Sequence, residues 1–222
     1  MPYSITTEDL PDDRDLLIPV CASIRGDTVD ITCFEEFSVI AKEYGERYST
    51  APLSDAALGS LFFSLDPIMK SRGYAMPDDR FEIDWVGVLE RAPEPGGVVS
   101  LNAIDAAPYE NLTGIDLAEA AELHQEAYVC IAEGKVVSVA VENFAEDGYV
   151  EIACETAEAY RSKGCAYSAC AALCRDIIVD GYSVRWQCSA DNAASVALAE
   201  KLGFEEIGSE MYMCYFNGEN EE

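Results

Sequence analysis

The chain has 222 residues, half of them hydrophobic, and carries 42 acidic side chains against 14 basic ones and a single histidine, a net charge of −28. That length and apolar content describe a globular chain, one large domain or one domain with a smaller companion, and no apolar run is long enough to span a membrane. The charge excludes nucleic acid as a partner, because phosphate binding needs a basic surface, whereas an acidic face attracts cations such as amines and polyamines.

The acidic start has neither a basic n-region nor a hydrophobic h-region, so no secretory signal is visible and the cytoplasm is the expected location. Residues 1–30 mix Pro2, Pro11 and Pro19 with a short apolar run at 16–21 that suits a strand; Arg25-Gly26-Asp27 reads as a turn. Residues 34–48 place apolar side chains at 34, 37, 40, 41, 44 and 48, one helical face. Residues 55–72 do the same with Leu58, Leu61, Phe62, Leu65 and Met69, and Pro67 is expected to kink or restart that helix. Residues 81–90 alternate as a strand does, 91–97 form a Pro- and Gly-rich loop near a domain boundary, and 98–104 resemble another strand. A short helix at 116–126, capped by Asp116, carries His124, which is expected to be partly exposed and idle despite being the sole imidazole. A hairpin follows, with strands at 127–132 and 136–144 around Glu133-Gly134-Lys135, and Asp147-Gly148 turns the chain into a strand at 149–156.

The next segment holds the chemistry. Arg161-Ser162-Lys163-Gly164-Cys165-Ala166 opens a helix reaching about Val179. The first amides of such a helix have no intrahelical acceptor, its dipole favours negative charge, and Gly164 lets backbone approach a ligand. Arg161 and Lys163 add full positive charges at the same place, so strand, Gly turn, cations and helix N-terminus together describe a site for a phosphate ester. Residues 157–203 hold five basic and five acidic side chains, so the rest of the chain carries the whole −28 and a polyanion meets least repulsion at this place. Beyond it come a strand at 182–188, a helix at 192–202 capped by Asp191 and ended by Gly203, and a last strand at 211–216. The nine cysteines form no C-x-x-C pair; with one histidine a metal site is not expected, and the cysteines read as small buried hydrophobes in a reducing compartment. Cys165 is set apart by its place at a helix N-terminus, where thiols are more reactive unless a phosphate takes the same spot.

The order strand, R-x-x-G-x-A helix, strand, N-x-x-S helix ending in L-G-F, then strand, with W-x-C-x3-N-x2-S-x2-L-A-E-K-L-G-F over Trp186–Phe204, resembles the acyl-CoA-dependent acetyltransferases of the GNAT superfamily. The resemblance covers roughly residues 128–216. It implies an α/β fold with a mixed, mostly antiparallel sheet flanked by helices, preceded by a largely helical segment (1–80), with the acyltransferase domain at 81–216 and an acidic tail at 217–222. It further implies a splayed gap between the 149–156 and 182–188 strands. Acetyl-CoA or coenzyme A would lie there as co-substrate, its arm on the backbone near Cys154, Glu155 and Thr156. The pyrophosphate would rest on the amides of Ser162, Lys163, Gly164, Cys165 and Ala166, with Arg161 in support and Asn192 and Ser195 contacting the arm. The activity implied is direct acetyl transfer to a small-molecule or peptide amine, cationic by preference, without metal, nucleic acid or membrane; a homodimer is compatible with it.

Two departures leave alternatives open. Many members carry a tyrosine as thiolate acid where this chain has Ala199; Tyr212 and Tyr215 are the candidates to replace it. Glu151, Glu155 and Glu142 are the candidate bases, since a carboxylate beside apolar strands can be tuned to take a proton. The rival readings are a CoA-sensing module without catalysis, and an acidic interaction domain on the same fold.

Overall fold

The computed structural model describes residues 1–10, 15–76, 81–91, 99–100, 127–146 and 148–217. The expected helix carrying His124 lies outside them, as do nearly all of the 91–97 loop and of the acidic tail. The described chain forms two compact units: residues 1–85 with 207–222, and residues 86–206.

The first unit begins with strands, where residues 1–30 had given mixed signals. β1 (Tyr3–Glu8) pairs in parallel with β4 (Thr28–Phe34), and β4 pairs antiparallel with β3 (Val20–Arg25) across the turn at Gly26. β12 (Glu205–Tyr212) adds to β3 in antiparallel register from Ser209↔Ile24 to Tyr212↔Cys21. A small second sheet joins β2 (Leu16–Leu17), β5 (Tyr74–Ala75) and β13 (Tyr215–Asn217), so the last apolar run is two strands and not one. Two helices follow β4. A 3-10 turn, Glu35–Phe37, leads into α1 (Ser38–Tyr48), and α2 (Asp55–Ser71) starts at Ser54, whose hydroxyl accepts from the Ala57 amide at 3.3 Å.

Helix α2 runs unbroken through Pro67. Proline removes the hydrogen bond to the carbonyl four residues back, that of Phe63; Pro67 and Phe63 are both exposed, so the loss falls on the watered side. Leu58, Leu61, Leu65 and Met69 on the opposite face bury into one core with Val20, Ile31, Phe37, Met211 and Tyr215. Burying such side chains is worth about 1.5–3 kcal/mol each, enough to hold the helix together across the proline.

The second unit is built on the order β11-β10-β9-β8-β7. β7 (Val99–Ser100), β8 (Ala127–Ala132), β9 (Lys135–Glu146) and β10 (Tyr149–Thr156) are successive antiparallel neighbours. Glu133 and Gly134 turn β8 into β9 with φ of 53° and 76°, the left-handed pair that a two-residue hairpin requires. β11 (Ser183–Ser189) then joins β10 in parallel. Helix α3 (Cys165–Val179) lies on β8, β9, β10 and β11 and buries Ala169, Cys170, Leu173, Cys174 and Ile177. Helix α4 (Ala193–Leu202) packs on α3 and β11 and ends at Gly203, φ 98°, whose amide returns to the Ala199 and Glu200 carbonyls. A mixed, mostly antiparallel sheet flanked by helices is therefore the architecture. Strand β6 (Glu82–Leu89) contains the boundary between the units, Trp85 to Val86.

Candidate active site

Parallel pairing of β10 with β11 covers only Tyr149↔Ser183, Val150↔Val184 and Glu151↔Arg185. Beyond Glu151 the two strands no longer pair, although β10 continues to Thr156 and β11 to Ser189. The parting coincides with a bulge in the β10–β9 register between Glu151 and Ile152. The extra residue is Asn143 on β9, between Phe144 (opposite Glu151) and Glu142 (opposite Ile152), so β9 is the bulged strand, and the local twist it adds to the β9–β10 pair accompanies the parting of β10 from β11. At the fork Arg185 Nε lies 3.5 Å from Glu151 Oε2, Arg185 Nη2 donates to Gln187 at 2.6 Å, and Asn143 Nδ2 donates to Glu151 Oε1 at 3.0 Å.

Next to the parted strands is a cavity of about 560 Å³. Cys154, Glu155 and Thr156 line one side of it, and Arg161, Ser162, Gly164, Cys165 and Ala166 line its end. Ser162 (φ 61°) and Gly164 (φ 85°) both take the left-handed conformation, which folds the loop so that successive amides can converge on an anion. No side chain caps α3 among the described residues, and a Cβ built on Gly164 would meet open space. The first-turn amides of α3 thus have no intrahelical acceptor beside the cavity, and residues 161–164 are exposed. Arg161 is anchored by its Nε to the Thr156 carbonyl at 3.3 Å. Lys163 is not in the cavity wall; its ammonium lies over the Tyr160 ring, 4.7 Å from the centroid.

Asn192 and Ser195 also line the cavity, but each has a structural duty. Asn192 is itself the cap of α4, in place of Asp191: its Oδ1 accepts from the Ser195 amide at 3.2 Å, one residue position being enough to bring the carbonyl oxygen onto the third helical amide. That leaves the Asn192 NH₂ as the group able to meet a ligand. Ser195 Oγ accepts from Trp186 Nε1 at 3.1 Å.

The sequence reading overlooked six side chains of this wall: Tyr160, Tyr167, Ala194, Ala197, Leu198 and Lys201. Ala194, Ala197, Leu198 and Lys201 recur at helical spacing on α4, so one face of that helix was available as a signal. Lys201 stands over the Tyr167 ring at 5.0 Å, adding a cation to the site.

The candidate acid and base groups differ sharply in surroundings. Glu151 is engaged by Arg185 and Asn143, as described. Glu155 lines the cavity, and its enclosed Oε2 has no hydrogen-bond partner among the described residues. Ser138, fully buried, donates to the Glu155 carbonyl at 3.1 Å and shares a hydrogen bond of 2.7 Å with Thr156 Oγ1, fixing the end of β10. Tyr212 lies in the first unit and donates to the buried Asp84 at 2.8 Å; burial, then that bond, pushes its phenol pKa well up. Tyr215 is fully buried, and so is Ala199, the position where many GNAT enzymes carry a tyrosine. Cys154 accepts a hydrogen bond from the Cys170 thiol, which lowers its pKa and raises that of Cys170. Among the described residues no group of three His, Cys, Asp or Glu side chains could hold a metal, and no helix is long and apolar enough to cross a membrane.

The GNAT acetyltransferase family model matches residues 127–215. Among solved structures, a protein assigned to the GNAT family from Novosphingobium aromaticivorans is similar at 19% identity and a TM-score of 0.55, over 65% of this chain and 68% of that one. A Drosophila melanogaster protein is similar at 17% identity and a TM-score of 0.54, over 70% of this chain and 57% of that one. These likenesses are ones of fold. No curated protein matches the sequence.

Proposed function

We propose that the chain transfers an acetyl group from acetyl-CoA directly to an amine. The observation that carries this reading is the cavity at the β10–β11 fork, closed at one end by the uncapped N-terminus of α3. Its residues suit coenzyme A: amides from Ser162 to Ala166 with Arg161 hold the diphosphate, and the unpaired edge of β10 at Cys154–Thr156 offers backbone groups to the pantetheine amides. Acetyl-CoA supplies the acyl group as an activated thioester. Glu155 takes the proton of the attacking amine through its partnerless Oε2, a better-placed acceptor than Glu151, which already serves Arg185 and Asn143. The thiolate's acid is not assigned to Tyr212, because its proton is given to Asp84. A cationic amine is the preferred acceptor, in keeping with the net charge of −28.

Titration calorimetry with CoA and acetyl-CoA tests the binding half. Arg161→Glu and Gly164→Val are each expected to weaken binding at least tenfold, the first by charge reversal and the second because a β-branched residue strains at φ 85°. Wild-type affinity in both variants would place the diphosphate elsewhere. A thiol-release assay across a panel of amines tests the chemistry; tight binding with no release for any amine would reduce the protein to a CoA sensor.

A further inference from the structure

Among the described residues, Arg161 and Lys201 are the two cationic side chains of the cavity wall, and the proposed function uses only the first. Lys201 stands exposed in the last turn of α4, and no carboxylate among the described residues forms an ion pair with it. Its ammonium rests over the Tyr167 ring, 5.0 Å from the centroid. Tyr167 is the third residue of α3, so this cation is held one residue beyond the amides read as the diphosphate site.

Helix α4 gives the cavity a direction. Asn192 and Ser195 stand at its start, where Ser195 bonds to Trp186 of β11; Lys201 stands at its end, beside the start of α3. With a rise of about 1.5 Å per residue, Asn192 and Lys201 are roughly 13 Å apart along the axis. Ala194 and Ala197, between them on the same wall, have short side chains, so a ligand can lie close against the helix. In coenzyme A the pantetheine leaves one side of the diphosphate and the nucleotide leaves the other. When the arm points to the fork and Asn192, the ribose departs toward Lys201. The 3′-phosphate on that ribose is a monoester, with roughly −1.5 to −2 charge near pH 7.

We infer that Lys201 binds the nucleotide 3′-phosphate and makes the site select coenzyme A over its form lacking that phosphate, an inference that rests on the coenzyme A reading of the cavity. Tyr167 is the positioning residue: its ring holds the ammonium near the start of α3, so less side-chain freedom is lost when the phosphate arrives. The contact is a charge-assisted N–H···O bond, stronger than a neutral one. Elsewhere the chain repels anions, and a second fixed cation in the wall favours the ligand with the additional phosphate.

The experiment is titration calorimetry on the full chain with two probes, CoA and 3′-dephospho-CoA, at one fixed ionic strength. Wild type should bind CoA about tenfold more tightly than the dephospho form, the range of a hydrogen bond to a charged group. Lys201→Gln should remove most of that ratio by weakening CoA alone, and Lys201→Arg should keep the ratio within about threefold of wild type. Tyr167→Phe, which keeps the ring, should retain the ratio; Tyr167→Leu should bring it between those of wild type and Lys201→Gln. Arg175→Gln removes an equal charge from α3 outside the cavity wall and should leave the ratio unchanged, which separates contact from long-range attraction. Equal weakening of both probes in Lys201→Gln would seat the ammonium on the diphosphate and overturn the inference. A lowered urea midpoint with unchanged binding of both probes would leave Lys201 only a helix-end charge, and overturns it too. A wild-type ratio in Tyr167→Leu removes Tyr167 from its positioning role. Binding of both probes by wild type with equal affinity overturns the inference alone, whereas binding of neither overturns the proposed function together with it.

Discussion

At the scale of single residues, two glutamates four apart on one strand have opposite environments. Glu151 bonds to Arg185 and Asn143 at the fork, while Glu155, in the cavity wall, has an enclosed oxygen with no hydrogen-bond partner among the described residues. Glu155→Gln should therefore lower kcat at least a hundredfold while leaving CoA affinity within about twofold, the range of general-base losses. Glu151→Gln should instead show in the urea midpoint, since it weakens a half-buried ion pair. Steady-state kinetics beside calorimetry separates the two, and equal loss of kcat in both variants would remove Glu155 from the role. The buried thiols give a pH dependence. Burial raises the Cys174 pKa from 9.0 to about 12. The unfolded thiol ionises near pH 9 while the folded one keeps its proton, so the unfolded chain binds fewer protons and stability falls as pH rises from about 9 toward 12. At pH 10.5 this one thiol costs about 2 kcal/mol. The urea midpoint should drop between pH 8 and 10.5, and drop less in Cys174→Ala; parallel curves for the two proteins would contradict this.

At the scale of elements, β12 contains a glycine that nothing else can replace. Gly208 has φ 156°, and a Cβ there would stand 1.9 Å from the Ile24 carbonyl oxygen on the paired strand β3. Gly208→Ala should cost about 3 kcal/mol or more, read as a lowered urea midpoint; a stability within 0.5 kcal/mol of wild type, by the same rough scale, would mean that the strands part easily. Elements with strong local patterns were legible from the chain alone: β8 to β10 from alternation and Gly turns, and α3 from its apolar face, each to within a few residues. β1 was not. Its YSITTE run is mostly exposed, and its partner β4 lies some twenty-five residues on in parallel register, so no local signal marks it. The cap of α4 was misjudged by one position because Asp191 and Asn192 are equally good capping types, and only the fold decides which carbonyl oxygen reaches the amide. The turn that opens α3 beside the cavity was legible because glycine, cations and a helix start are adjacent in sequence. The face of α4 that completes the wall was not, since Ala194, Ala197, Leu198 and Lys201 look like ordinary packing residues until a cavity is seen beside them.

At the scale of the whole molecule, the distribution of charge matters more than its sum. Residues 157–203 are neutral while the remainder carries −28, so an anionic ligand is repelled at long range and held only at contact. Raising ionic strength from about 10 to 150 mM shortens the reach of that repulsion to roughly 8 Å. The association rate of CoA should then increase several-fold in stopped-flow measurements, opposite to the behaviour of a basic nucleotide-binding surface; a falling rate would show that local cations dominate the approach. The division into units was only partly legible. The first unit ends at Trp85, and the return of residues 207–217 to it is a long-range pairing that composition does not record.

The bulge after Glu151 makes the ligand groove a matter of register. Two parallel strands have every reason to go on zipping, and deleting Asn143, the extra residue of β9, would let them. The product would be a tighter, better-bonded sheet without the cavity. Selection for stability alone, in a library built across residues 142–145, should therefore enrich sealed variants that fold well and lack the cavity.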